Sequence, residues 1–342
     1  MSETLKQLLK TLTETHALTP TDTENCFVEI IKGEATEIQI SAFITALKIK
    51  GETAQDIASG SSVLRRLAVT IPGHPDAIDI VGTGGDGIGT WNISTAATFV
   101  VAGAGVPVAK HGNTAVSSKS GASDVLSALG INLKANVTMV QKALDDAKVC
   151  FLMAPLYHSG MRHVGPVRKE LAFRSIFNIL GPISNPALVK RTMVGVYDKK
   201  LLQPFTEALH KLGTTHALVV HGRDGLDEVT TTTETDAVLL KDGKTTEMTL
   251  SPSDIGLPMA KIDDLIGGTP EENAAALTGL LDGVKNPYRD IVIFNAAAAM
   301  FGSGHADSLQ EGADRAIQSI DSGAAREALA NLVRITNEEE DE

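Results

Sequence analysis

The residues best suited to chemistry follow a short β-branched run, AIDIV, at residues 77–81. Five glycines lie within residues 82–89, and four hydroxyl or amide side chains follow within residues 90–95. Backbone that lacks Cβ atoms lets N–H groups approach a phosphate closely, and the start of a helix predicted near Ser94 adds partial positive charge. These residues therefore predict a phosphate-binding loop.

Two other interpretations of the glycine loop remain open. Gly82, Gly84 and Gly87 satisfy the GxGxxG pattern of dinucleotide-binding folds, but that pattern also requires an acidic residue at the end of the next strand. The next strand, VPVAK, ends instead in Lys110. The second alternative is a glycine-rich turn with a structural role only, although so many glycines rarely serve one turn.

A second polar loop follows VPVAK. Residues 110–121 contain two lysines, one histidine and four hydroxyl side chains around glycines, within a chain whose net charge is −12. A local excess of positive charge in an acidic protein favours a second anion-binding loop. Taken singly, His111 is more typical of a hydrogen-bonded structural histidine, and Lys119 of a solvated side chain.

The third loop follows the run HALVVHG and contains Asp224, Asp227 and Glu228. Mg²⁺ prefers oxygen ligands and commonly bridges protein carboxylates to substrate phosphates. Two phosphate loops on the same sheet edge favour a magnesium site over the alternative of a solvated acidic turn.

The surrounding pattern indicates how these loops are positioned. Apolar residues recur at helical spacing up to residue 70, where Thr21 and Glu24 suggest a capping box for the second helix. Beyond Pro75, β-branched runs alternate with helical ones, including a helix over 201–212. Such alternation predicts a mainly parallel sheet covered by helices, with its ligands beyond the carboxyl ends of the strands.

The predicted fold class is therefore α/β, with a small N-terminal helical domain and a large α/β domain with a mainly parallel central sheet. The helical domain covers residues 1–72 and is completed by about residues 160–190, where the run GPVRKELAFRSIFNILGP looks helical. The α/β domain covers 73–335, and the acidic residues 336–342 are expected to be a disordered tail.

Composition excludes several classes of function. The chain has 342 residues with 30 Lys+Arg and 42 Asp+Glu, and this acidic balance argues against nucleic-acid binding. No export signal and no apolar run long enough to span a membrane occurs, so no membrane partner is expected. Cys26 and Cys150 are typical of buried thiols in a reducing compartment, which predicts a cytoplasmic protein.

Taken together, the loops resemble the anthranilate phosphoribosyltransferases of tryptophan biosynthesis. The matching strings are VGTGGDG, NIST, AKHGN, AVSSKSG, GPVRKEL, FNILGPISNP and GLDEVT. The resemblance implies a homodimer formed through the helical domain. It also implies Mg²⁺-assisted transfer of phosphoribosyl from 5-phosphoribosyl pyrophosphate (PRPP) to the amino group of anthranilate, with no residue acting as a strong general base.

The resemblance also implies which residues bind each ligand. For PRPP they are Gly82, Gly85, Asp86, Thr90, Asn92, Ile93, Ser94, Thr95, Lys110, His111, Gly112, Asn113, Thr114, Ala115, Val116, Ser117, Ser118 and Ala122. For anthranilate they are Gly82, His111, Asn113, Pro155, His158, Arg168 and Gly181. For the metal they are Ser94, Asp227 and Glu228. From the residues alone, Arg162, Arg168 and Arg174 rank as equals, although a guanidinium suits a benzoate carboxylate.

Two positions depart from the family pattern. Thr114 stands where the family usually has arginine, and Trp91 is larger than expected. One alternative function is a pyrimidine nucleoside phosphorylase, which shares the architecture but whose glycine loop differs. The other is a catalytically silent, anion-binding relative, for which Thr114 is the support.

Overall fold

The computed structural model describes residues 2–113 and 120–338. Four helices open the chain, and each begins after a Ser or Thr whose hydroxyl accepts a hydrogen bond from a backbone N–H in the first turn. The second of these caps is Thr19, so the capping box predicted at Thr21 is wrong. The four helices are α1 (Glu3–Thr15), α2 (Pro20–Ile31), α3 (Glu37–Lys50) and α4 (Ala54–Leu67).

The rest of the described chain alternates strands and helices before ending in four helices. In order, the elements are β1 (Ile78–Gly82), α5 (Ile93–Gly103), β2 (Val108–Gly112), α6 (Ala122–Ala128), α7 (Val137–Asp146), β3 (Val149–Met153), α8 (Ala154–Tyr157), α9 (Gly165–Leu171), β4 (Arg191–Gly195), α10 (Leu202–Lys211), β5 (His216–Gly222), β6 (Thr235–Lys241), β7 (Lys244–Leu250), α11 (Pro270–Leu281), α12 (Pro287–Gly302), α13 (Leu309–Asp321) and α14 (Ala324–Thr336).

These strands form one seven-stranded sheet in the order β3-β2-β1-β4-β5-β6-β7. The first five strands in this order are parallel, and β6 and β7 form an antiparallel hairpin at one edge. The mainly parallel α/β fold with an N-terminal helical domain is thus confirmed. The antiparallel hairpin had not been anticipated.

Alternate residues of the strands pack into two different cores. On β5, Leu218 and Val220 join the core formed with α5, α12 and α14, whereas Ala217 and Val219 join the core shared with the helical domain. This is the two-residue period of a sheet covered on both faces. The core of the helical domain is therefore continuous with one face of the sheet.

The segment between β3 and β4 is less helical than its sequence suggests. It contains the seven-residue α9 and short 3-10 turns, rather than one long helix through GPVRKELAFRSIFNILGP. Its buried apolar residues between Val164 and Ile183 share the core of the helical domain. The ring of Phe177 meets that of Phe27 edge to face at 5.6 Å, a contact worth about 0.5–1.5 kcal/mol beyond area burial.

The C-terminal residues are tied to the α/β domain as far as Glu338. Asn337 donates a hydrogen bond to the carbonyl of Gly130 over 2.9 Å, and Glu338 pairs with Lys142. The start of the predicted acidic tail, 336–338, is thus packed, and 339–342 lie outside the described residues. None of the described helices is long and apolar enough to cross a membrane.

Candidate active site

The glycine loop and the acidic loop meet beyond the carboxyl ends of β1 and β5. The N–H of Gly84 donates to Asp227 Oδ2 over 2.6 Å, and the N–H of Ser94 donates to Glu228 Oε1 over 3.1 Å. These hydrogen bonds connect residues more than 130 positions apart in the chain. The convergence predicted from the strand ends is therefore present.

Glycine is required where the two loops touch. A Cβ atom on Gly82 would lie 2.4 Å from Oδ2 of Asp227, and one on Gly195 would lie 1.6 Å from the carbonyl oxygen of Asp227. Four further glycines of the loop, Gly84, Gly85, Gly87 and Gly89, have φ between 69° and 80°. This left-handed backbone keeps the loop close to the acidic residues.

Several predicted PRPP residues lie at the start of α5. Thr90 forms an isolated antiparallel bridge with Ile266, and Asn92 is the residue preceding the first turn of α5. Ile93 and Thr95 are buried in that first turn, and Ser94 is partly buried. Asp86 is partly buried in the glycine loop, where loss of water raises the pKa of its carboxyl.

Lys110 brings a buried positive charge to this edge from β2. Its Nζ donates to the carbonyl of Ile80 over 2.6 Å and to Oγ of Ser94 over 3.3 Å. Burial lowers the pKa of Lys110, while the nearby Asp79, Glu228 and Asp227 oppose that shift. The ammonium group is therefore held between the glycine loop and the acidic loop.

The sheet is open between β1 and β2 where it reaches the site. Only Ile78 and Val108 are registered partners, whereas β1 and β4 have five registered pairs. Beyond that pair, Asp79 Oδ1 accepts from the N–H of His111, and Asn185 Nδ2 donates to both Asp79 Oδ2 and the carbonyl of Ala109. Side chains thus take the place of backbone pairing there.

The two acidic residues at the site have strongly displaced pKa values. Burial raises the pKa of Asp227 to about 7, and the charge on Asp86 adds to the effect. Burial and the neighbouring Asp227 raise the pKa of Glu228 to about 8, against the opposing effect of Lys110. Two carboxylates with so little compensating charge favour a bound cation.

Asp224, in contrast, is used within its own loop. Its Oδ1 accepts from the N–H of Leu226, and its Oδ2 accepts from the hydroxyls of Thr230 and Thr232. Asp224 therefore stabilises its own turn, and its charge also helps to raise the pKa of Asp86 in the glycine loop.

The arrangement fits a hard cation such as Mg²⁺. Glu228 Oε1 and Ser94 Oγ lie at the start of α5, and Asp227 Oδ2 lies at the glycine loop that precedes it. Both carboxylates are short of positive charge. Among the described residues, no three His, Cys, Asp or Glu side chains form a cluster able to hold a metal ion. Mg²⁺ commonly takes one or two protein carboxylates and completes its shell with water and substrate phosphates.

The predicted anthranilate residues form a second group beside β2. His111 and His158 are buried with ring centroids 5.2 Å apart, and Nδ1 of His111 lies 3.1 Å from the carbonyl of Gly181. Because a carbonyl only accepts, Nδ1 carries the proton and Nε2 is an acceptor. Among the described residues, Nε2 has no hydrogen-bond partner.

The other predicted anthranilate residues lie on neighbouring elements. Arg168 is on α9, where burial lowers the pKa of its guanidinium, and Pro155 is on the short α8 that follows β3. The contacts of this second group join His111 to His158 and to Gly181.

The remaining PRPP positions follow β2. Gly112 ends the strand, Asn113 follows it, and Ala122 begins α6, where its Cβ would lie 3.5 Å from a Cβ added to Gly112. The predicted positions Thr114, Ala115, Val116, Ser117 and Ser118 lie outside the described residues.

Three residues at the site were not singled out from the sequence. Asp79 lies within β1, and Asn185 lies near the end of the FNILGPISNP string. The third is Tyr197, whose ring lies 4.2 Å from the guanidinium carbon of Arg174, beside Gly85. Arg162 and Arg174 are both exposed, and the stacking on Tyr197 distinguishes Arg174.

The fold and the site define a class of glycosyltransferase. Residues 74–326 match the family described as glycosyl transferase family, a/b domain, and residues 6–68 match the family's helical bundle domain. The helical bundle match ends after α4, and the a/b domain match begins just before β1.

Individual relatives narrow this class. The anthranilate phosphoribosyltransferase of Parvibaculum lavamentivorans is 50% identical over 332 residues, which cover 97% of each chain. The structure of the Saccharomyces cerevisiae enzyme in complex with PRPP and Mg has a TM-score of 0.89 at 32% identity, covering 98% of both chains. The same yeast enzyme with 4-fluoroanthranilate gives 0.88 at 30% identity, covering 97% of both. The chain belongs to the anthranilate phosphoribosyltransferase family.

Proposed function

We propose that this protein transfers the phosphoribosyl group of PRPP to the amino group of anthranilate and releases pyrophosphate, with Mg²⁺. This is the second step of tryptophan synthesis from chorismate. One observation carries the proposal: the glycine loop, Lys110 and the paired carboxylates Asp227 and Glu228 meet at one sheet edge. The yeast relative's complex with PRPP and Mg supports it.

The residues at this edge bind and neutralise the phosphates of PRPP. N–H groups of the glycine loop and of the start of α5 face the phosphates, together with the ammonium of Lys110. Ser94, Asp227 and Glu228 would hold Mg²⁺, which supplies positive charge to the leaving pyrophosphate when bound. The predicted residues 114–118, outside the described chain, belong to the same proposal.

The second group of residues holds anthranilate. Arg168 binds its carboxylate, and the rings of His111 and His158 pack beside the aromatic ring, with Asn113, Pro155 and Gly181 at the approach. Burial lowers the pKa of His111 to about 3, so this imidazole is neutral and a weak base. An aniline nitrogen needs little deprotonation before it attacks, so positioning is the main contribution to the rate.

An activity assay tests the proposal and its alternatives. Anthranilate fluorescence is expected to fall when the protein is mixed with PRPP and Mg²⁺, and synthesis of phosphoribosylanthranilate should need both PRPP and Mg²⁺. Phosphorolysis of thymidine or uridine instead would establish a pyrimidine nucleoside phosphorylase. Calorimetric binding of PRPP without any product would establish a silent relative.

The variant Arg168→Ala tests whether Arg168 binds anthranilate rather than PRPP. We expect the KM for anthranilate to rise by about tenfold or more, with a much smaller change for PRPP, because a charged hydrogen bond to the carboxylate is lost. Arg162→Ala, at an exposed arginine of the same segment, is the matched control. Equal changes in both KM values would contradict the assignment of Arg168.

We further propose that the protein is a homodimer formed through its helical domain. Ile38 and Ile49 on α3 are 82% and 83% exposed, and their spacing of eleven residues places them on the same side of the helix. An apolar stripe this exposed favours burial against a second copy. The variant Ile38→Glu/Ile49→Glu is expected to sediment as a monomer, whereas Val284→Glu, on the α/β domain, is not.

We also propose the domain division 1–72 with about 160–190 for the helical domain and 73–335 for the α/β domain. The packing of Val164, Val167 and Phe177 among the N-terminal helices supports it. A cytoplasmic location is proposed because Cys26 and Cys150 are both buried, unpaired thiols. Cell fractionation tests this location.

A further inference from the structure

A distant segment of the chain lies directly against the glycine loop. Trp91 N–H donates to the carbonyl of Leu265, and Gly267 N–H donates to the carbonyl of Gly89, each over 2.9 Å. The segment that follows leads into α11, which carries Asn273. Residues about 180 positions away in the sequence therefore form one wall of the loop.

Asn273 is buried there and its side-chain amide has a defined orientation. The backbone N–H of Gly268 lies 2.8 Å from Asn273 Oδ1, and a backbone N–H can only donate. The carbonyl oxygen of Asn273 therefore faces Gly268, and its Nδ2 faces Oδ1 of Asn92 over 2.7 Å.

The orientation of Asn273 fixes that of Asn92. Since Asn92 Oδ1 accepts from Asn273, Asn92 Nδ2 is presented on the other side, 3.4 Å from the carbonyl of Ser120. Asn92 precedes α5, a position where asparagine usually caps the helix, yet its side chain makes no capping hydrogen bond. Its amide instead reaches Ser120, near the end of the second polar loop.

We propose that Asn273 is a positioning residue, which sets the amide of Asn92 so that a donor faces the bound phosphoribosyl group. This inference rests on the proposed function, in which Asn92 contacts PRPP. Phosphate oxygens accept hydrogen bonds, so an Nδ2 donor attracts them and an Oδ1 acceptor repels them. Oγ of Ser120 also lies 3.5 Å from Asn92 Oδ1, so Asn273 and Ser120 together hold the amide of Asn92 in this orientation.

Substituting Asn273→Asp tests the inference. The carboxylate still accepts from Gly268 but offers only an acceptor to Asn92, which then turns its Nδ2 towards residue 273 and its Oδ1 towards the ligand. We expect the KM for PRPP to rise by about tenfold or more, with little change in the KM for anthranilate. Glu272→Gln, on the same turn of α11, is the matched control and should keep wild-type constants.

Asn92→Asp also puts a carboxylate oxygen in place of the Nδ2 donor of Asn92. This variant is used if Asn273→Asp does not fold. The two substitutions should raise the KM for PRPP similarly, because each removes one donor from the phosphoribosyl site. A purely structural role predicts instead a lower melting temperature with both KM values unchanged. That result, or a rise in the KM for PRPP that is confined to Asn92→Asp, would overturn the inference.

The wild-type assay separates this inference from the proposed function. If the wild-type protein makes no phosphoribosylanthranilate, the proposed function fails. If the wild-type protein is active and Asn273→Asp keeps its KM for PRPP, only the role of Asn273 fails.

Discussion

Two charged regions lie at the same end of the sheet, and the pKa values of their groups are displaced in opposite directions. The buried charge site consists of Asp79, Lys110, Asp227 and Glu228, whose pKa values are all displaced towards the neutral forms. The hairpin ion cluster consists of Lys199, Arg223, Glu234 and Asp236 near the ends of β5 and β6. In it the pKa of Arg223 is raised and that of Asp236 is lowered, towards the charged forms.

The difference comes from partners and water. In the hairpin ion cluster, Asp236 pairs with Arg223 and with Lys199, each over 2.9 Å, and both cations reach into solvent. In the buried charge site, loss of water is the main cause of every shift, and no ion pair within 4.0 Å joins its described members. Charges that are already paired with each other gain little stabilisation from a ligand of opposite charge. Buried charges without such a partner gain much more.

The largest expected effect comes from neutralising the carboxylates of the buried charge site. Asp227→Asn with Glu228→Gln keeps the side-chain shapes but removes both negative charges, so Mg²⁺-dependent turnover should fall about 100-fold or more. Steady-state kinetics with varied Mg²⁺ measure this. Retention of wild-type turnover and metal dependence would refute the metal assignment of these two residues.

A second large effect is expected from an added methyl group at the buried charge site. Gly195→Ala places a Cβ 1.6 Å from the carbonyl oxygen of Asp227, which is backbone and has no free rotation. We expect a loss of about 1–3 kcal/mol or more in the free energy of unfolding, measured by urea denaturation. Gly165→Ala, with no atom within 4 Å of the added Cβ, is the control that should remain near wild type.

The pH dependence of stability should reveal the burial of Asp79. Burial raises its pKa to about 6, so its contribution to stability is full below the unfolded pKa and is lost as pH rises through 6. Between pH 5 and pH 7.5, the unfolding free energy of Asp79→Asn should therefore rise relative to wild type by about 1.4 kcal/mol. A constant difference across these pH values would show that Asp79 does not titrate as proposed.

The smallest effect is expected in the hairpin ion cluster. Arg223→Gln with Asp236→Asn removes paired charges that face solvent, where screening makes such pairs weak. The kinetic constants should match wild type, and the melting temperature should change little, by calorimetry and by the anthranilate assay. A clear fall in kcat would mean that the two charged regions are coupled.

The loops of the site could be predicted from the sequence because each is a local run of residues. Glycines, lysines and carboxylates follow strands within a few positions, and parallel strands bring their carboxyl ends to one edge. Asp79 could not be singled out, since a polar residue within IDIV looks like the solvent-facing position of an alternating strand. Its role depends on Asn185, which folding brings from more than 100 positions away.

The same limitation applies to Asn273 and to the hairpin. The hydrogen bond between Asn273 and Asn92 joins residues 181 positions apart, so no local pattern indicates it. The β6–β7 strands pair antiparallel at the sheet edge, where β7 is largely exposed and lacks the apolar run typical of a buried parallel strand. The cap of α2 is Thr19 rather than the predicted Thr21, because the helix already begins at Pro20.

The opening between β1 and β2 has a consequence for how the sheet moves. With a single registered pair there, the sheet divides into a β2–β3 block and a β1–β4–β5 block. Most hydrogen bonds between these blocks come from the side chains of Asp79, Asn185 and Lys110. The amide proton of His111 should therefore exchange with solvent by a local parting of the blocks, without global unfolding. A ligand that contacts the loops after both β1 and β2 would connect the two blocks and slow the exchange of this amide proton.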